Sequence, residues 1–246
     1  MMELVTLNIW GGKLKSPLLG FFKKYSQEVD IFCLQEVFHH GKSSYHLYDD
    51  ADMNIFSQIA AVLPGHTRYF TTPQTDEFGL AIFIRKTIPV VKVGETYVFR
   101  WKNARVGDDG KTLGKHLQFI QFQHQSKLHT VINFHGLWIG GDKNDTPDRL
   151  QQSQNIIKFL NTLKGKVILA GDYNLLPNTQ SMHLLETAGL RNLVTEYGIA
   201  STRSHYYGKT EKYADYVLTS KDIVVKDFRV LPQIVSDHLA LAVDLA

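Results

Sequence analysis

The feature that most constrains the fold is a series of short apolar segments typical of buried β-strands, with few helical patterns between them. Helices are predicted where apolar residues recur at helical spacing, at residues 17–29, 51–63, 147–163 and 180–187. Several consecutive strands have no helix between them, so antiparallel neighbours are needed as well as parallel ones. We therefore expect an α/β fold with mixed sheets. The predicted strands are residues 4–9, 31–34, 79–84, 90–93, 96–99, 117–122, 128–134, 166–170, 213–218, 223–230 and 238–243.

The composition limits the classes of protein to which this chain can belong. With 246 residues, of which 43% are hydrophobic, the chain can bury a sizeable core, and this excludes intrinsic disorder as its main description. A formal net charge of +3 lacks the basic excess of a protein held on nucleic acid by charge alone, so a polyanion would have to be recognised locally. The single cysteine, Cys33, excludes an intramolecular disulfide framework and multi-cysteine zinc sites.

No linker, repeat or targeting segment is apparent in the sequence. The first residues lack the basic and apolar regions of a signal peptide, and no apolar run approaches the roughly 20 residues that span a bilayer. We therefore expect a single domain over residues 1–246, located in the cytoplasm and without stable membrane association. The sequence leaves the oligomeric state open.

Polar and acidic residues stand where the predicted apolar strands end or begin. The ends of some strands and the starts of their antiparallel partners share one edge of a sheet, and ligand sites in α/β proteins commonly lie at such edges. We therefore expect these side chains to converge on one rim. They are Asn8, Glu36, His135, Asp172, Asn174, Asp215, Asp237 and His238.

Such a cluster holds four carboxylates, two amides and two imidazoles. Four carboxylates at close range need a compensating cation, because like charges raise one another's free energy. Oxygen donors favour Mg²⁺ or Mn²⁺, with water completing the shell, over zinc. A hard divalent ion beside two histidines suits phosphoester hydrolysis, since the ion neutralises phosphate oxygens and the histidines manage protons.

Six short motifs, in order along residues 6–238, resemble the motif set of the endonuclease/exonuclease/phosphatase superfamily. Taken alone, a Gly-Asp-x-Asn or Ser-Asp-His segment is more typical of a turn or a helix cap. Six such motifs in the right order are far more specific than any one of them. The motifs are Thr6-Leu7-Asn8-Ile9-Trp10, Leu34-Gln35-Glu36-Val37, Asn133-Phe134-His135, Gly171-Asp172-Tyr173-Asn174, Ala214-Asp215-Tyr216-Val217 and Ser236-Asp237-His238.

The resemblance implies a fold and a metal site. The fold would be a four-layer α/β sandwich, in which two mixed β-sheets pack face to face and are flanked by helices. Glu36 resembles the principal metal carboxylate of this superfamily, and Asn8 and Asp237 would complete the environment of the Mg²⁺ or Mn²⁺. His238 is similar to the histidine that contacts the scissile phosphate, and Asp215 to the carboxylate that orients it and keeps it protonated.

The remaining positions resemble groups that act on the water and the leaving oxygen. Asp172 is the candidate base, and together with Asn174 it would position the attacking water. His135 is the candidate acid for the leaving oxygen, or else a structural histidine at a strand end. The implied reaction is in-line attack of water on phosphorus without a covalent enzyme intermediate. A nuclease-like phosphodiesterase acting on DNA or RNA is the first expectation.

Several alternatives stay open at this level. The segment Asn8-Ile9-Trp10-Gly11 lacks the Asn-x-Asn-Gly-x-Arg pattern typical of AP endonucleases and is similar to the start of some sphingomyelinases. A phosphatase or sphingomyelinase-type activity on another phosphoester is therefore an alternative. A non-catalytic relic that binds a phosphorylated ligand is another, although every expected position holds a competent residue. Calcineurin-like metallophosphatases are set aside because the Asp-x-His of their first strand and their Gly-Asn-His motif are absent.

Three basic segments have two interpretations each. Residues 203–212 join basic and aromatic side chains before Asp215, and they either contact nucleic acid or pack an ordinary loop. Arg149 begins a predicted helix and is either exposed or engaged with a phosphate or the substrate loop. Residues 100–115 are typical of a long loop, either solvated or in contact with phosphate.

Overall fold

The computed structural model describes residues 1–41, 50–73, 78–102, 104, 114–140 and 142–246. Within these ranges the chain forms twelve strands and five α-helices. The strands are β1 (Met2–Asn8), β2 (Ile31–Phe38), β3 (His66–Thr71), β4 (Phe78–Arg85), β5 (Val90–Phe99), β6 (Lys115–His124), β7 (Lys127–His135), β8 (Lys166–Asp172), β9 (Leu190–Asn192), β10 (Asp215–Ser220), β11 (Val225–Val230) and β12 (Leu241–Leu245). The helices are α1 (Lys15–Tyr25), α2 (Ile55–Val62), α3 (Pro147–Leu160), α4 (Gln180–Thr187) and α5 (Leu193–Glu196), and a short 3₁₀ turn covers Trp10–Gly12.

The strands form two six-stranded sheets that pack against each other. The first has the order β11-β12-β1-β2-β4-β3, and the second the order β5-β6-β7-β8-β10-β9. Each sheet contains one parallel pair among antiparallel ones: β1 with β2 in the first and β7 with β8 in the second. Contacts of β1 and β2 with β7 and β8 bring the two parallel pairs face to face. The predicted fold class, a mixed-sheet α/β sandwich, is confirmed.

The apolar alternation of the central strands fills two layers of core. In β1, Leu4 packs into the cluster between the sheets, whereas Val5 and Leu7 pack with the helices on the outer face of the first sheet. Both faces are buried, so the strand reads as a nearly continuous apolar run. The helices α1 and α2 contribute Phe22 and Ile59 to that outer cluster.

Helix α3 lies at the second sheet, where it contacts α4 and β5. Its start agrees with the sequence prediction: Pro147 occupies the first turn, and the Thr146 side chain accepts a hydrogen bond from the Arg149 N–H. Ile156 of α3 and Met182 of α4 are buried in the cluster that includes the second sheet. Helices on the outer faces of two packed sheets give the four layers.

Some predicted elements differ from the observed ones. The two strands expected at residues 90–93 and 96–99 are one strand, β5, because Gly94 and Glu95, which break the apolar pattern, pair in continuous register with β6. The edge strands β3 and β9 were not predicted, because their residues are half polar and only one face is covered. Most of the predicted loop at residues 100–115 lies outside the described residues, and Lys115 already belongs to β6.

Two further points concern membrane-spanning helices and the single cysteine. None of the described helices combines the length and apolar character needed to cross a bilayer. Cys33 is a free, fully buried thiol between the sheets, and burial raises its pKa. It therefore packs as a small apolar residue and is not activated as a nucleophile.

Candidate active site

Strand pairing brings the predicted site residues to one edge of the sandwich. Asp172, the last residue of β8, lies opposite His135 on one neighbouring strand and opposite Asp215 on the other. Asn8 ends β1, which faces these strands from the first sheet. Parallel strands that end here and antiparallel strands that begin here therefore share one rim. All eight predicted residues belong to one connected cluster of side chains, which also links the two sheets.

Asn8 connects the two sheets inside this cluster. Its Nδ2 donates hydrogen bonds of 3.0 Å to Oε1 of Glu36 and of 3.0 Å to Oδ2 of Asp172. Its Oδ1 accepts a hydrogen bond from the Trp10 N–H, so the fully buried amide is fixed at both ends. One amide thus holds two carboxylates from different sheets on either side of itself.

Glu36 projects from an irregular position in β2. The register with β4 shifts between Leu34 and Val37, and Glu36 has a φ of +57°, in the left-handed region that few non-glycine residues adopt. The bulge turns this carboxylate toward the rim. Burial raises the pKa of Glu36 to about 6, although the hydrogen bond from Asn8 opposes the shift. The left-handed backbone and the enclosed carboxylate of Glu36 both cost stability, and such costly features are typical of residues in functional sites.

The Gly171-Asp172-Tyr173-Asn174 segment requires its glycine. A Cβ atom on Gly171 would lie 2.0 Å from the Phe134 carbonyl oxygen of β7, and the φ of this residue is +146°. The N–H of Asn174 donates to Oδ1 of Asp172 at 2.9 Å, which is the local turn that the motif predicts. Burial alone would raise the pKa of Asp172, but His238, Lys143 and other cations hold it well below its usual range. Asp172 is therefore ionised.

His238 and Asp215 form a buried ion pair. Nδ1 of His238 lies 2.8 Å and 2.9 Å from the two carboxylate oxygens of Asp215. Burial opposes the charge on this imidazole, but Asp215 and the other carboxylates outweigh it and raise the pKa of His238. Ser236 secures this segment, because its hydroxyl donates to the Asn8 carbonyl and accepts from the His238 N–H.

Two amide side chains of the motifs, Gln35 and Asn133, join the two sheets by hydrogen bonds. Nε2 of Gln35 donates to Oδ1 of Asn133 at 2.7 Å, across the interface between the sheets. Nδ2 of Asn133 donates back to the carbonyl oxygens of Leu34 and Ala81 in the first sheet. This buried network holds β2 against β7. It therefore fixes the distance between Glu36, which follows Gln35, and His135, which lies two residues after Asn133.

Glu36, His135 and Asp172 form a group that can hold a cation. Nε2 of His135 lies 3.7 Å from Oε1 of Glu36 and 3.8 Å from Oδ2 of Asp172. Burial, reinforced by Lys115, lowers the pKa of His135 to about 3, so the imidazole is neutral at pH 7 and offers a lone pair. Two carboxylates and a neutral imidazole are a donor set that suits a divalent metal ion.

Asp237 contacts an arginine that lies outside the motifs. Its Oδ2 accepts a hydrogen bond of 3.1 Å from Nη1 of Arg203, and its Oδ1 lies 3.8 Å from Nε2 of His238. The guanidinium of Arg203 also contacts Nε2 of His238 and lies over the ring of Tyr207, 4.1 Å from its centroid. The basic and aromatic loop therefore enters the site instead of only packing beside it.

Two lysines of the site were not predicted. Nζ of Lys143 donates to Oδ1 of Asn174 at 2.7 Å, and burial lowers the pKa of this lysine. Burial also lowers the pKa of Lys115, which lines a small cavity beside His135 and faces the charges of Glu36 and Asp172. Neither lysine belongs to a motif, and a lysine in a polar segment carries no sequence signal of burial.

Arg149 organises the loop that carries Lys143. Its guanidinium donates to the carbonyl oxygens of Leu137, Asp142 and Asn144, and the residue is only 2% exposed. Of the interpretations offered by the sequence, the structuring of this loop is the one observed.

Comparison with known proteins agrees with this architecture. The mannosyl-6-phosphatase of Bacteroides thetaiotaomicron superposes with a TM-score of 0.77 at 18% identity, over 100% of both chains. A family protein from Leptotrichia buccalis gives 0.75 at 18% identity, also over 100% of both chains. TDP2 of D. rerio in complex with a single-strand DNA product gives 0.72 at 13% identity, over 100% of this chain and 98% of that one. Identities this low show the shared fold alone.

Sequence comparison adds the family. A search of curated proteins finds no match at the threshold used. The family model for the Endonuclease/Exonuclease/phosphatase family, however, matches residues 5–238. Because this match covers nearly the whole chain and the fold agrees with it, the chain belongs to the Endonuclease/Exonuclease/phosphatase family.

Proposed function

We propose that this protein hydrolyses phosphoesters with the help of Mg²⁺ or Mn²⁺ and that residues 1–246 form one catalytic domain. The observation that carries the proposal is the link from Glu36 through Asn8 to Asp172, with Nε2 of His238 only 3.6 Å from Oδ2 of Asp172. This arrangement sets an acidic cation site directly beside an imidazole that can face a phosphate. Membership of a family of phosphoester hydrolases supports it.

Glu36 would hold the cation, with Asn8, Asp172 and Asp237 next to it and His135 as a further candidate ligand. The buried charge of Glu36, whose pKa is about 6 without a cation, favours such an occupant. When bound, a divalent ion neutralises phosphate oxygens and makes water a better nucleophile. The residues of the chain perform the other steps.

Asp172 and Asn174 are the groups proposed to act on the attacking water. Asp172 is ionised and so can accept a hydrogen bond from that water, while Lys143 and the turn fix Asn174 beside it. As the water oxygen bonds to phosphorus, the bond from phosphorus to the leaving oxygen breaks. The proton of the water passes to Asp172.

His238 is proposed to stabilise the phosphate as its charge grows. Asp215 binds Nδ1 with both oxygens, which orients the ring and directs Nε2 toward Asp172 and Arg203, where the phosphate would lie. The raised pKa keeps the imidazole charged near neutral pH, where a cation is useful to a phosphate.

His135 has two uses that a metal titration separates. By family resemblance, His135 donates a proton to the leaving oxygen. Because its imidazole is neutral at pH 7, it must first receive that proton, which passes from the attacking water to Asp172 and then to His135. Alternatively, its lone pair binds the cation. If His135→Ala leaves the affinity for Mn²⁺ unchanged while slowing turnover, the proton role holds; a lowered affinity assigns the ligand role.

Two substrate classes follow from different observations. A nuclease-like phosphodiesterase acting on DNA or RNA is favoured by the aromatic edge of the site, where the exposed Tyr206 lies 6.4 Å from the Trp10 ring. A phosphatase is favoured by the buried cations Lys115, Lys143 and Arg203, which concentrate charge on a single phosphate. The cytoplasmic location predicted from the sequence stays a prediction.

A substrate panel tests the proposed function. The purified protein is assayed on bis(p-nitrophenyl) phosphate, p-nitrophenyl phosphate, single- and double-stranded DNA, RNA and sphingomyelin, with Mg²⁺, Mn²⁺ or a chelator. We expect activity that the chelator removes and that His238→Ala and Glu36→Ala abolish. His183→Ala, on the exposed face of α4, is the matched control. Absence of turnover on every substrate and metal, or activity that survives both site variants, contradicts the proposal and leaves the ligand-binding relic.

A further inference from the structure

We propose that Arg203 binds a phosphate oxygen of the substrate beside His238 and thereby biases the site toward terminal phosphomonoesters over internal diesters. This inference rests on the proposed function and chooses between its two substrate classes. Arg203 belongs to none of the six motifs, so family membership alone does not assign it a role.

The position of the guanidinium is the first observation. The Arg203 side chain is 6% exposed, yet it is held by site side chains and an aromatic ring. Nη1 contacts both Oδ2 of Asp237 and Nε2 of His238, the imidazole atom that is free of Asp215. A backbone bridge between Arg203 and His238 holds the two residues in register.

A comparison with Arg149 shows that this is not an ordinary structural arginine. Arg149 donates to three backbone carbonyl oxygens and so stabilises a loop. The guanidinium contacts of Arg203 within the described chain are instead to Asp237, His238 and the Tyr207 ring. Nε is buried without a hydrogen-bond partner in both arginines, so the two differ in what their Nη atoms contact. An arginine whose Nη1 lies against Asp237 and the imidazole proposed to face the phosphate is suited to an oxyanion.

The charge around the site is the second observation. Four carboxylates share the site with three cationic side chains: Lys115, which faces Glu36 and Asp172, Lys143, which contacts Asn174, and Arg203, which contacts Asp237. A divalent cation bound there would leave the site with an excess of positive charge. A terminal phosphate carries about two negative charges at neutral pH, whereas an internal diester carries one. The three cationic side chains therefore match a phosphomonoester better.

Tyr207 is the positioning contact for this arginine. Its ring lies 4.1 Å from the guanidinium, while Nη1 of Arg203 contacts Asp237 and His238 within the site. The stacking restricts the rotamers of a long side chain, which lowers the entropy lost when an anion binds.

The test compares one monoester with one diester in matched variants. We expect the wild type to prefer p-nitrophenyl phosphate over bis(p-nitrophenyl) phosphate in kcat/KM. Arg203→Ala should lower this value about 100-fold for the monoester and about 10-fold for the diester. Arg203→Lys, which keeps the charge and loses the planar fork, should fall between. Lys221→Ala removes an exposed charge just after β10, at the opposite end of that strand from Asp215, and should leave the ratio unchanged.

Binding of inorganic phosphate gives a readout that does not need turnover. By calorimetry, Arg203→Ala should weaken phosphate binding about 10-fold or more, and circular dichroism checks that the variant is folded. If Arg203→Ala does not fold, Arg203→Lys carries the same comparison. A wild-type preference for the diester, an equal loss on both substrates, or unchanged phosphate affinity overturns the inference. If no phosphoester is cleaved, the proposed function fails, while phosphate binding still decides the role of Arg203.

Discussion

Both carboxylate oxygens of Asp215 lie within 2.9 Å of Nδ1 of His238, so a single carboxylate fixes the ring and leaves Nε2 directed at Asp172 and Arg203. The residues are 23 positions apart: Asp215 begins β10, and His238 lies in the segment before β12. Their contact exists because β10 begins at the rim that the segment before β12 also reaches. The Asp215 carboxylate thus orients the imidazole of His238 and favours its positively charged form.

The first prediction concerns this pair. His238→Ala should lower kcat by about 100-fold or more, because the cation that stabilises the phosphate is lost. Asp215→Asn should have a smaller effect, since the ring stays in place but its charge is less favoured. Steady-state kinetics on the best substrate measure both. Retention of wild-type kcat by His238→Ala contradicts the proposed role, and His183→Ala controls for histidine loss.

The pH profile follows from the same contact. Asp215 raises the pKa of His238 above its ordinary value of 6.5, so kcat/KM should fall as the pH rises through that higher pKa. Asp215→Asn removes the raising charge, and the alkaline limb of the profile should move to lower pH. Profiles of both proteins between pH 5 and about 10 test this. An alkaline limb that stays in place in Asp215→Asn shows that another group titrates.

Glu36 is expected to destabilise the metal-free fold. Its pKa rises from 4.5 to about 6, so between these values the folded state binds more protons than the unfolded state, and stability falls as the pH rises. Above pH 6 the penalty is about 2 kcal/mol. Glu36→Gln should therefore raise the Tm by about 4–8 °C at pH 7.5.

Metal binding provides the control for that result. Mg²⁺ or Mn²⁺ should raise the Tm of the wild type and raise that of Glu36→Gln much less, because a ligand is lost. Differential scanning fluorimetry with and without chelator measures both shifts. Equal metal-induced shifts in the two proteins would exclude Glu36 as a ligand.

Gly171 should tolerate no side chain. Alanine would place Cβ 2.0 Å from the Phe134 carbonyl oxygen at a φ of +146°, forcing β7 and β8 apart where His135 and Asp172 pair. We expect Gly171→Ala to cost about 2–4 kcal/mol in free energy of unfolding. The control is Gly20→Ala in α1, where Cβ would meet open space and should stabilise the helix by about 0.5–1 kcal/mol. Urea unfolding that shows no loss in Gly171→Ala argues against this packing.

Arg149 should act on the site through the loop it binds. Arg149→Ala leaves three carbonyl oxygens without a donor and should cost about 2–3 kcal/mol in unfolding free energy. Because Lys143 lies in this loop and contacts Asn174, kcat should fall about 10-fold while phosphate affinity changes less. Lys158→Ala, an exposed position on α3, is the control. A variant that loses stability but keeps full kcat restricts Arg149 to a structural role.

Whether an element could be predicted from the sequence depended on how much of it is buried and on the residues at its ends. Strands such as β1 and β8 were recognisable because both of their faces are buried and their apolar runs are continuous. The edge strands β3 and β9 lacked this signal, since a strand with one covered face tolerates polar residues. Ser16 and Pro17 are typical of a helix start and predict one at residue 17, but α1 begins two residues earlier, at Lys15, after Leu14, which offers no side-chain cap.

The sequence by itself indicated most of the strands, the polar residues at their ends and, through six ordered motifs, the family. Those signals are local, because burial and turn chemistry act on neighbours in the chain. Only the tertiary structure decided which charges meet: it paired Asp237 with Arg203, turned Glu36 inward on a bulge and buried Lys143 and Lys115 beside the carboxylates. A basic side chain has the same identity whether it is solvated or enclosed. Its burial depends on the packing of distant strands and loops, which no local pattern records.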